Sequence, residues 1–250
     1  MKQMIYAIIS ANRDEAFQLQ LKGMRGILGE DLQIIAFQEI AAVVSRTNRA
    51  DLANVKSEAI AFAQVVENIS TIFTLLPMRY GSLMDSEEAV VGMLENNYSD
   101  IDQNLRKVEN KHEFGLKVMC DTEKLKINLQ SRSESVGKPL QKSDPESEDS
   151  VFREYINRKL STHRIEEMVL HYVDAIIAEF SGFLIFLEAD KKIKKMTTAT
   201  TIIDAVFLLK KDNKQGLVKA IHEMQNKYPE MNFILTGPWP PYSFIDVNLK

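Results

Sequence analysis

The sequence predicts an α+β protein of two domains, and three observations lead to this fold class. Short runs of β-branched and apolar residues alternate with longer segments whose apolar residues recur every three or four positions, as on one helix face. A polar stretch at about 121–150 interrupts that pattern. The order of elements after it matches the split β-α-β, ferredoxin-like arrangement. We therefore expect an N-terminal α+β domain over 1–110, a small sheet with packed helices, and a C-terminal ferredoxin-like domain over 111–250, with the polar stretch as an insertion.

The N-terminal domain opens with predicted strands at 4–9, 32–37 and 40–44, because each run is apolar and rich in β-branched residues. Between the first two strands, 14–28 is typical of a modest helix that ends at Gly29. The clearest helix follows, with an apolar residue at every third or fourth position. Its inward stripe consists of Leu52, Val55, Ala59, Phe62, Val66 and Ile69.

A buried strand is predicted at 72–76, followed by the segment Pro-Met-Arg-Tyr-Gly at 77–81. The segment Asp-Ser-Glu-Glu at 85–88 then supplies a capping residue, a glutamate three positions later and negative charge at the positive end of a helix. We expect one helix from there to Val108. Its inward residues are Val90, Leu94, Asn97, Ile101, Leu105 and Val108.

The C-terminal domain begins with a predicted strand at 114–119 and, after the polar stretch, a long helix from Val151. Ser181 and Gly182 are expected to bend or end that helix, and 183–187 either continues it or opens a strand. The core positions of the helix are Ile165, Met168, Val169, Tyr172, Val173, Ile176, Ile177 and Phe180. A strand at 202–209, a helix at 213–228 with Leu217, Val218, Ile221 and Met224 inward, and a closing strand at 231–235 complete the domain.

Composition excludes several classes of protein. The 250 residues carry a formal net charge of −4, with 45% hydrophobic and 26% charged residues. This balance is typical of a globular protein and argues against a nucleic-acid binder, which needs clustered excess lysine and arginine. The longest apolar run, 175–189, is shorter than the roughly 20 residues of a bilayer span. We therefore expect no membrane span, no signal peptide and, with Cys120 as the only cysteine, a reducing cytoplasm.

No catalytic constellation is evident in the sequence. Cys120 ends an apolar run, which favours a small buried residue over a nucleophile. His163, Glu167 and His171 are helical neighbours, but a metal site would need further ligands, so a solvated helix face is the alternative. Phosphate-binding loops and nucleophile elbows are also missing. We expect no enzyme activity, no cofactor and no metal.

The segment 232–244 has the most unusual composition. Prolines at 238, 240 and 241 stiffen it, and Trp239, the only tryptophan, precedes Tyr242 and Phe244. These aromatic residues either staple the tail to the protein's own core or form a surface for a partner. Arg79, between Met78 and Tyr80, offers a similar choice: its guanidinium either ties together a loop or contacts an acidic residue of a partner.

Two blocks carry a resemblance to a known family. The run Leu-Leu-Pro-Met-Arg-Tyr-Gly-Ser-Leu at 75–83 and the run Leu-Thr-Gly-Pro-Trp-Pro-Pro-Tyr-Ser-Phe at 235–244 resemble the signature blocks of the gas vesicle proteins GvpF and GvpL. The second block is the more specific. Chain length and the placement of both blocks agree with the family, so the resemblance extends over essentially the whole chain, although 121–150 and 183–200 carry no signature.

The resemblance implies a non-enzymatic, cytoplasmic and vesicle-associated protein that contacts the hydrophobic shell protein GvpA and other gas vesicle proteins. It would limit premature aggregation of GvpA during nucleation, remain as a minor shell component, or both. Two alternatives stay open: an enzyme for a small ligand and a scaffold that self-associates. The expected partner-binding residues are Arg79, Tyr80, Phe183, Leu184, Ile185, Phe186, Trp239, Tyr242 and Phe244, because exposed apolar surfaces mark partner sites.

Overall fold

The computed structural model describes residues 1–11, 21–48, 56–134, 148–195 and 200–245. Within these ranges the chain alternates strands and helices. The strands are β1 (Lys2–Ser10), β2 (Gln33–Phe37), β3 (Ile40–Thr47), β4 (Leu75–Pro77), β5 (Leu83–Met84), β6 (Lys111–Met119), β7 (Asp190–Lys195), β8 (Thr201–Lys210) and β9 (Asn232–Trp239). The helices are α1 (Lys56–Ser70), α2 (Glu87–Asn96), α3 (Tyr98–Val108), α4 (Thr122–Glu134), α5 (Glu148–Phe186) and α6 (Lys214–Lys227). Two sheets with packed helices confirm the α+β class.

The chain divides into two compact units. The first unit comprises 1–114, 208–211 and 237–250, and the second comprises 115–207 and 212–236. The last segment of the chain therefore belongs to the same unit as the first strand. The two-domain boundaries expected from the sequence, 1–110 and 111–250, stay a prediction.

Strand β1 lies at the centre of the sheet in the first unit. The strand order is β2-β3-β1-β4, with β5 also paired to β1, and every pair is antiparallel. Residues 3–9 of β1 are all buried. Because side chains alternate between the two faces of a strand, both faces of β1 are covered. A register shift between Ile5 and Ala7 interrupts the ladder with β3.

Helix α1 covers one face of this sheet with the stripe that the sequence predicts. Phe62, Val66 and Ile69 are buried in a cluster with Tyr6 of β1. Phe62 stacks on the Tyr6 ring, with centroids 4.9 Å apart, and Tyr80 meets Phe62 edge-on at 5.7 Å. The predicted stripe is confirmed from Ala59 onward, and its first two members, Leu52 and Val55, lie outside the described residues.

The predicted helix from 85 to 108 is in fact two helices. Asn97 leaves the helical conformation with φ −116° and ψ 15°, and its buried side-chain amide donates to the Met93 carbonyl at 2.7 Å. The Asn97 N–H also bonds to the Met93 carbonyl, at 3.2 Å, so the side chain adds a second donor to the last turn of α2, and the non-helical backbone at Asn97 separates α2 from α3. The cap of α2 is Ser86 rather than Asp85, because the Ser86 hydroxyl accepts from the Ala89 N–H at 3.2 Å.

The second sheet has the strand order β7-β8-β6-β9. Its elements follow one another as β6, α4, α5, β7, β8, α6 and β9. Of the two alternatives for 183–187, the structure has the helix, because α5 continues to Phe186 and the next strand, β7, begins at Asp190. The ferredoxin-like assignment stays a prediction.

Strand β9 is longer than the strand predicted at 231–235 and is not buried. It lies at the edge of its sheet, and it continues through Gly237 and Pro238 to Trp239. Six of its eight residues are exposed and the other two are partly buried. An edge strand tolerates proline, because one side of it needs no ladder donor.

The predicted insertion is partly helical. Its first part is α4, which buries Leu125 and Leu129, and its last residues begin α5. Residues 135–147 lie outside the described ranges. Ser181 and Gly182 do not end the long helix, since α5 runs through both residues to Phe186.

Part of α5, His163–Phe186, has the length and composition of a membrane-crossing helix, and 28% of its most apolar stretch is buried. A core helix of a soluble protein meets the same criteria. Glu179, inside this segment, accepts from the Lys227 ammonium at 2.7 Å and from the Tyr228 hydroxyl at 2.8 Å. These bonds tie the segment to α6 within the second unit.

Three further predictions need correction. Residues 21–28 form turns and a bridge between Arg25 and Asp31 instead of a helix, and 12–20 lie outside the described residues. The strand predicted at 72–76 is shorter, because the N–H groups of Ile72 and Phe73 still bond to the Ile69 carbonyl. Val218 is 47% exposed, whereas the other predicted inward residues of α6 are buried.

Candidate partner-binding site

The C-terminal part of the segment 232–244, residues 237–244, is called the aromatic tail below. Glu113 holds it against the rest of the first unit. This carboxylate is 5% exposed and accepts from the Ser243 N–H and the Ser243 hydroxyl, both at 2.7 Å. The Lys107 ammonium donates to the Phe244 carbonyl at 2.9 Å, and the Phe244 ring is buried. All three hydrogen bonds involve a charged group, which makes them stronger than neutral hydrogen bonds. Phe244 therefore anchors the tail to the core of its own unit.

Gly237 sets the path into this tail. Its φ is +103°, a backbone conformation that residues with a side chain rarely adopt. The peptide bond between Gly237 and Pro238 is cis. A Cβ at this position would lie 2.8 Å from the Glu113 carbonyl oxygen. Glycine is therefore required for the backbone of the tail to approach β6 so closely.

Beside the tail, the end of α1 forms a cleft of about 240 Å³. Trp239 forms part of its wall and is 40% exposed, so the indole is available at the surface. The cleft is lined by Gln64, Glu67, Asn68, Ser70, Thr71, His112, Pro238 and Trp239. The polar residues of α1 and the indole thus face a common space within the first unit.

The pKa of Tyr242 reflects the burial and the negative charge around the aromatic tail. Burial raises the pKa of its phenol to about 12, and the carboxylates of Glu67 and Glu113 add to the increase. Negative charge disfavours the phenolate, as does the loss of hydration. The phenol is therefore neutral at physiological pH.

The expected partner-binding residues Phe183 to Phe186 lie at the end of α5, in the second unit. Ile185 and Phe186 are 73% and 85% exposed, whereas Leu184 is fully buried and Phe183 is half-buried. The expectation that Leu184 contacts a partner is wrong for the folded protein, because helical geometry turns it toward the core. Ile185 and Phe186 form an exposed apolar pair at the helix end, which we call the α5 tip.

Arg79 and Tyr80 lie in the first unit with different surroundings. Tyr80 is half-buried against Phe62, and its hydroxyl donates to Glu58 at 2.7 Å. Arg79 is exposed, and within the described ranges no carboxylate forms an ion pair with it. The first signature block therefore contributes one packing residue and one exposed cation.

Sequence reasoning missed the residues that hold the tail. Glu113 and Lys107 are ordinary charged residues of a strand and a helix, and nothing in their local pattern points to contacts 130 and 137 positions away. Cys120 is buried as expected, and burial raises the pKa of its thiol. Within the described chain, no group of three or more histidine, cysteine or acidic side chains is placed to hold a metal ion.

The fold and this site define a two-sheet α+β protein with a clamped aromatic tail beside a small cleft. Comparison with known proteins adds the family. The model of the family described as gas vesicle synthesis protein GvpL/GvpF matches residues 4–246. The chain therefore belongs to the GvpL/GvpF family of gas vesicle proteins.

Its relatives are distant in sequence but similar in length. Gas vesicle protein F1 of Halobacterium salinarum is 21% identical over 98% of this chain and 92% of its own. Gas vesicle protein L of a Streptomyces species is 21% identical over 90% and 87%.

Two solved structures share the fold. GvpF from Anabaena sp. PCC7120 superposes with a TM-score of 0.75 at 17% identity, covering 99% of this chain and 97% of that one. GvpF from Microcystis aeruginosa gives 0.73 at 16%, covering 98% and 99%. The family places the chain in a gas vesicle role.

Proposed function

We propose that the chain is a non-enzymatic accessory protein of gas vesicle assembly, a minor structural component of the vesicle, or both. It binds the hydrophobic shell protein GvpA and limits premature aggregation of that protein during nucleation. Family membership supports the vesicle role, and the exposed apolar side chains support the binding of an apolar partner. Other gas vesicle proteins are further partners under this proposal.

The α5 tip is the observation that carries the proposal. Ile185 and Phe186 are adjacent on α5 and are 73% and 85% exposed, whereas Leu184, the residue before them, is fully buried. The pair is held on a fixed frame, so little ordering is needed when it binds. Burying each side chain against a partner would contribute about 1.5–3 kcal/mol.

The test is capture of the purified shell protein by the immobilised chain, together with light scattering of the shell protein as it aggregates. Replacing Ile185 and Phe186 together by serine should weaken capture about tenfold or more and restore aggregation. Ile127→Ser is the matched control, because Ile127 is 62% exposed on α4 of the same unit. Equal capture by the double variant and the wild type would contradict the proposal.

Trp239→Ala and Arg79→Ala test the other expected contacts in the same assay. Both residues are partly or fully exposed, so the variants should keep the fold, which circular dichroism checks. Loss of capture by either variant assigns its residue to the contact. Normal capture by both would remove Arg79 and Trp239 from the GvpA interface.

The two alternative functions make different predictions. A self-associating scaffold would scatter light as an oligomer in the absence of the shell protein, whereas an accessory protein that masks GvpA should be monodisperse on its own. An enzyme would turn over a small substrate. The cleft of about 240 Å³ is below the roughly 300–1,000 Å³ of typical small-molecule sites, which favours a partner side chain as its occupant.

A further inference from the structure

The cleft beside Trp239 lies at the negative end of a helix. The last turn of α1 contains no basic residue, although lysine, arginine or histidine commonly complements the partial negative charge there. Glu67 adds a full negative charge to the same turn. Its carboxylate accepts only a long bond, 3.4 Å, from the Gln64 amide, and within the described part of the chain no lysine or arginine pairs with it.

The backbone acceptors at this end of α1 are directed by short side chains. The Ser70 hydroxyl donates to the Glu67 carbonyl at 2.6 Å, and the Thr71 hydroxyl donates to the Asn68 carbonyl at 2.7 Å. A carbonyl oxygen has two lone pairs. The Asn68 oxygen uses both, because it also accepts from the Thr71 N–H at 3.3 Å, whereas the Glu67 oxygen can accept one more donor. Together with the Glu67 carboxylate, this oxygen favours a group that brings several donors and a positive charge.

Trp239 forms a wall of the cleft and, like Glu67, attracts positive charge. The face of an indole is negative, and tryptophan is the best aromatic partner of ammonium and guanidinium groups. The half-exposed indole and the Glu67 carboxylate line the same space. Burial, with Glu67 and then Glu113 in support, raises the pKa of nearby Tyr242. Lys111 and Lys211 line a neighbouring crevice and not this cleft.

We propose that this cleft receives the ammonium or guanidinium group of a lysine or arginine side chain that a partner protein presents. The proposal rests on the proposed function, because it takes the partner to be a gas vesicle protein. The side chain would lie along Trp239 with its charged end at the carboxylate and the carbonyl oxygen of Glu67. The tail clamp of Glu113 holds Trp239 in place, so the aromatic wall is preorganised.

Trp239 makes the test direct, because it is the only tryptophan of the chain. The probes are n-butylammonium and n-butylguanidinium chloride at constant ionic strength, with n-butanol as the neutral control. We expect a saturable change of tryptophan emission with a midpoint on the order of 10 mM for the cations. The same midpoint should rise as salt is added, since salt screens exposed charges.

Glu67→Gln should raise the midpoint about threefold to tenfold without unfolding the protein. Glu95→Gln is the matched control, because Glu95 is an exposed carboxylate on α2 of the same unit and does not line the cleft. An equal response to n-butanol, an unchanged midpoint in Glu67→Gln, or no saturation with either cation would overturn the proposal.

Capture of the shell protein is measured in parallel, so that the two proposals fail separately. Capture without a cation-selective response at Trp239 overturns the cleft proposal and leaves the proposed function standing. A cation-selective response without capture supports the chemistry of the cleft and counts against GvpA as the partner.

Discussion

At the scale of single residues, one buried carboxylate organises the segment with the most distinctive sequence. Glu113 accepts both hydrogen bonds that Ser243 can donate, and its own carbonyl oxygen lies where a Cβ of residue 237 would be. Thus a strand residue determines both the path of the tail and its attachment. The aromatic side chains around it contribute apolar contact area, but the polar clamp decides their position.

Replacing Glu113 by glutamine should lower the free energy of unfolding by about 1–3 kcal/mol, because one acceptor oxygen becomes an NH₂ group that cannot accept. Urea denaturation measures the loss, and hydrogen exchange of the Ser243 N–H should become faster. Ser243→Ala removes a single side-chain bond and should cost only about 0.5–1.5 kcal/mol. An unchanged unfolding midpoint in Glu113→Gln would show that the clamp contributes nothing to stability.

Tyr242 should make stability depend on pH in the alkaline range. Its folded pKa is raised to about 12 from the ordinary 10.0, chiefly by burial and then by Glu67 and Glu113. Between these values the unfolded chain has released the phenol proton while the folded chain still holds it, so the free energy of unfolding falls as pH rises. Ultraviolet titration of phenolate should show a midpoint near 12 that disappears in Tyr242→Phe.

Two further variants assign the cause of that midpoint. Glu67→Gln should lower it, because one of the two neighbouring negative charges is removed. Glu95→Gln should leave it in place, since Glu95 is absent from the groups that act on Tyr242. A midpoint near the ordinary value in the wild-type protein would contradict both the burial of the phenol and the charge around it.

At the scale of elements, the end of α5 contains a residue that packs in the core directly beside one that is exposed and available for binding. Leu184 and Ile185 are adjacent on α5, yet one is fully buried and the other is 73% exposed. Leu184→Ala should lower the free energy of unfolding by about 2–5 kcal/mol, as expected for a large-to-small change in a core. Ile185→Ala should change it by no more than about 0.5 kcal/mol. Thermal or urea unfolding compares the two, and equal losses would mean that the α5 tip is packed in solution.

The elements that the sequence predicts well are those with a long periodic pattern. The stripe Phe62, Val66 and Ile69 lies in the core, as the 3.6-residue period requires. The break at Asn97 was missed because it is a change of backbone conformation at one residue, whereas the apolar period continues from α2 into α3. The exposure of strand β9 was misjudged, because an apolar run can have the same composition at the edge of a sheet as at its centre.

The candidate site was predictable in composition but not in geometry. Trp239, Tyr242 and Phe244 are conspicuous in the sequence, and only Phe244 is fully buried, so the tail is both a staple and a partly exposed surface. Glu67 and Glu113 could not be found in the sequence, because tertiary contacts alone bring them to the tail. Leu184 and Phe186 carry similar apolar character, and only the orientation of the helix tells them apart.

At the scale of the whole molecule, the proposed function depends on apolar side chains that are exposed on the surface of a chain with a formal net charge of −4. Such groups lose water only when a partner covers them, which contributes about 25 cal/mol per Å² of apolar area. Serine at 185 and 186 removes that contribution but leaves the fold, since both positions are exposed.

In cells that lack this protein, the double serine variant should therefore restore gas vesicles much less than the wild type, by several-fold in a flotation assay. Ile127→Ser, expressed to the same level by immunoblot, should restore them fully, because it removes a similarly exposed apolar side chain from a different helix. If both variants fail equally, general surface stickiness and not the α5 tip accounts for the activity, and if both succeed the α5 tip is not the surface that meets the shell protein.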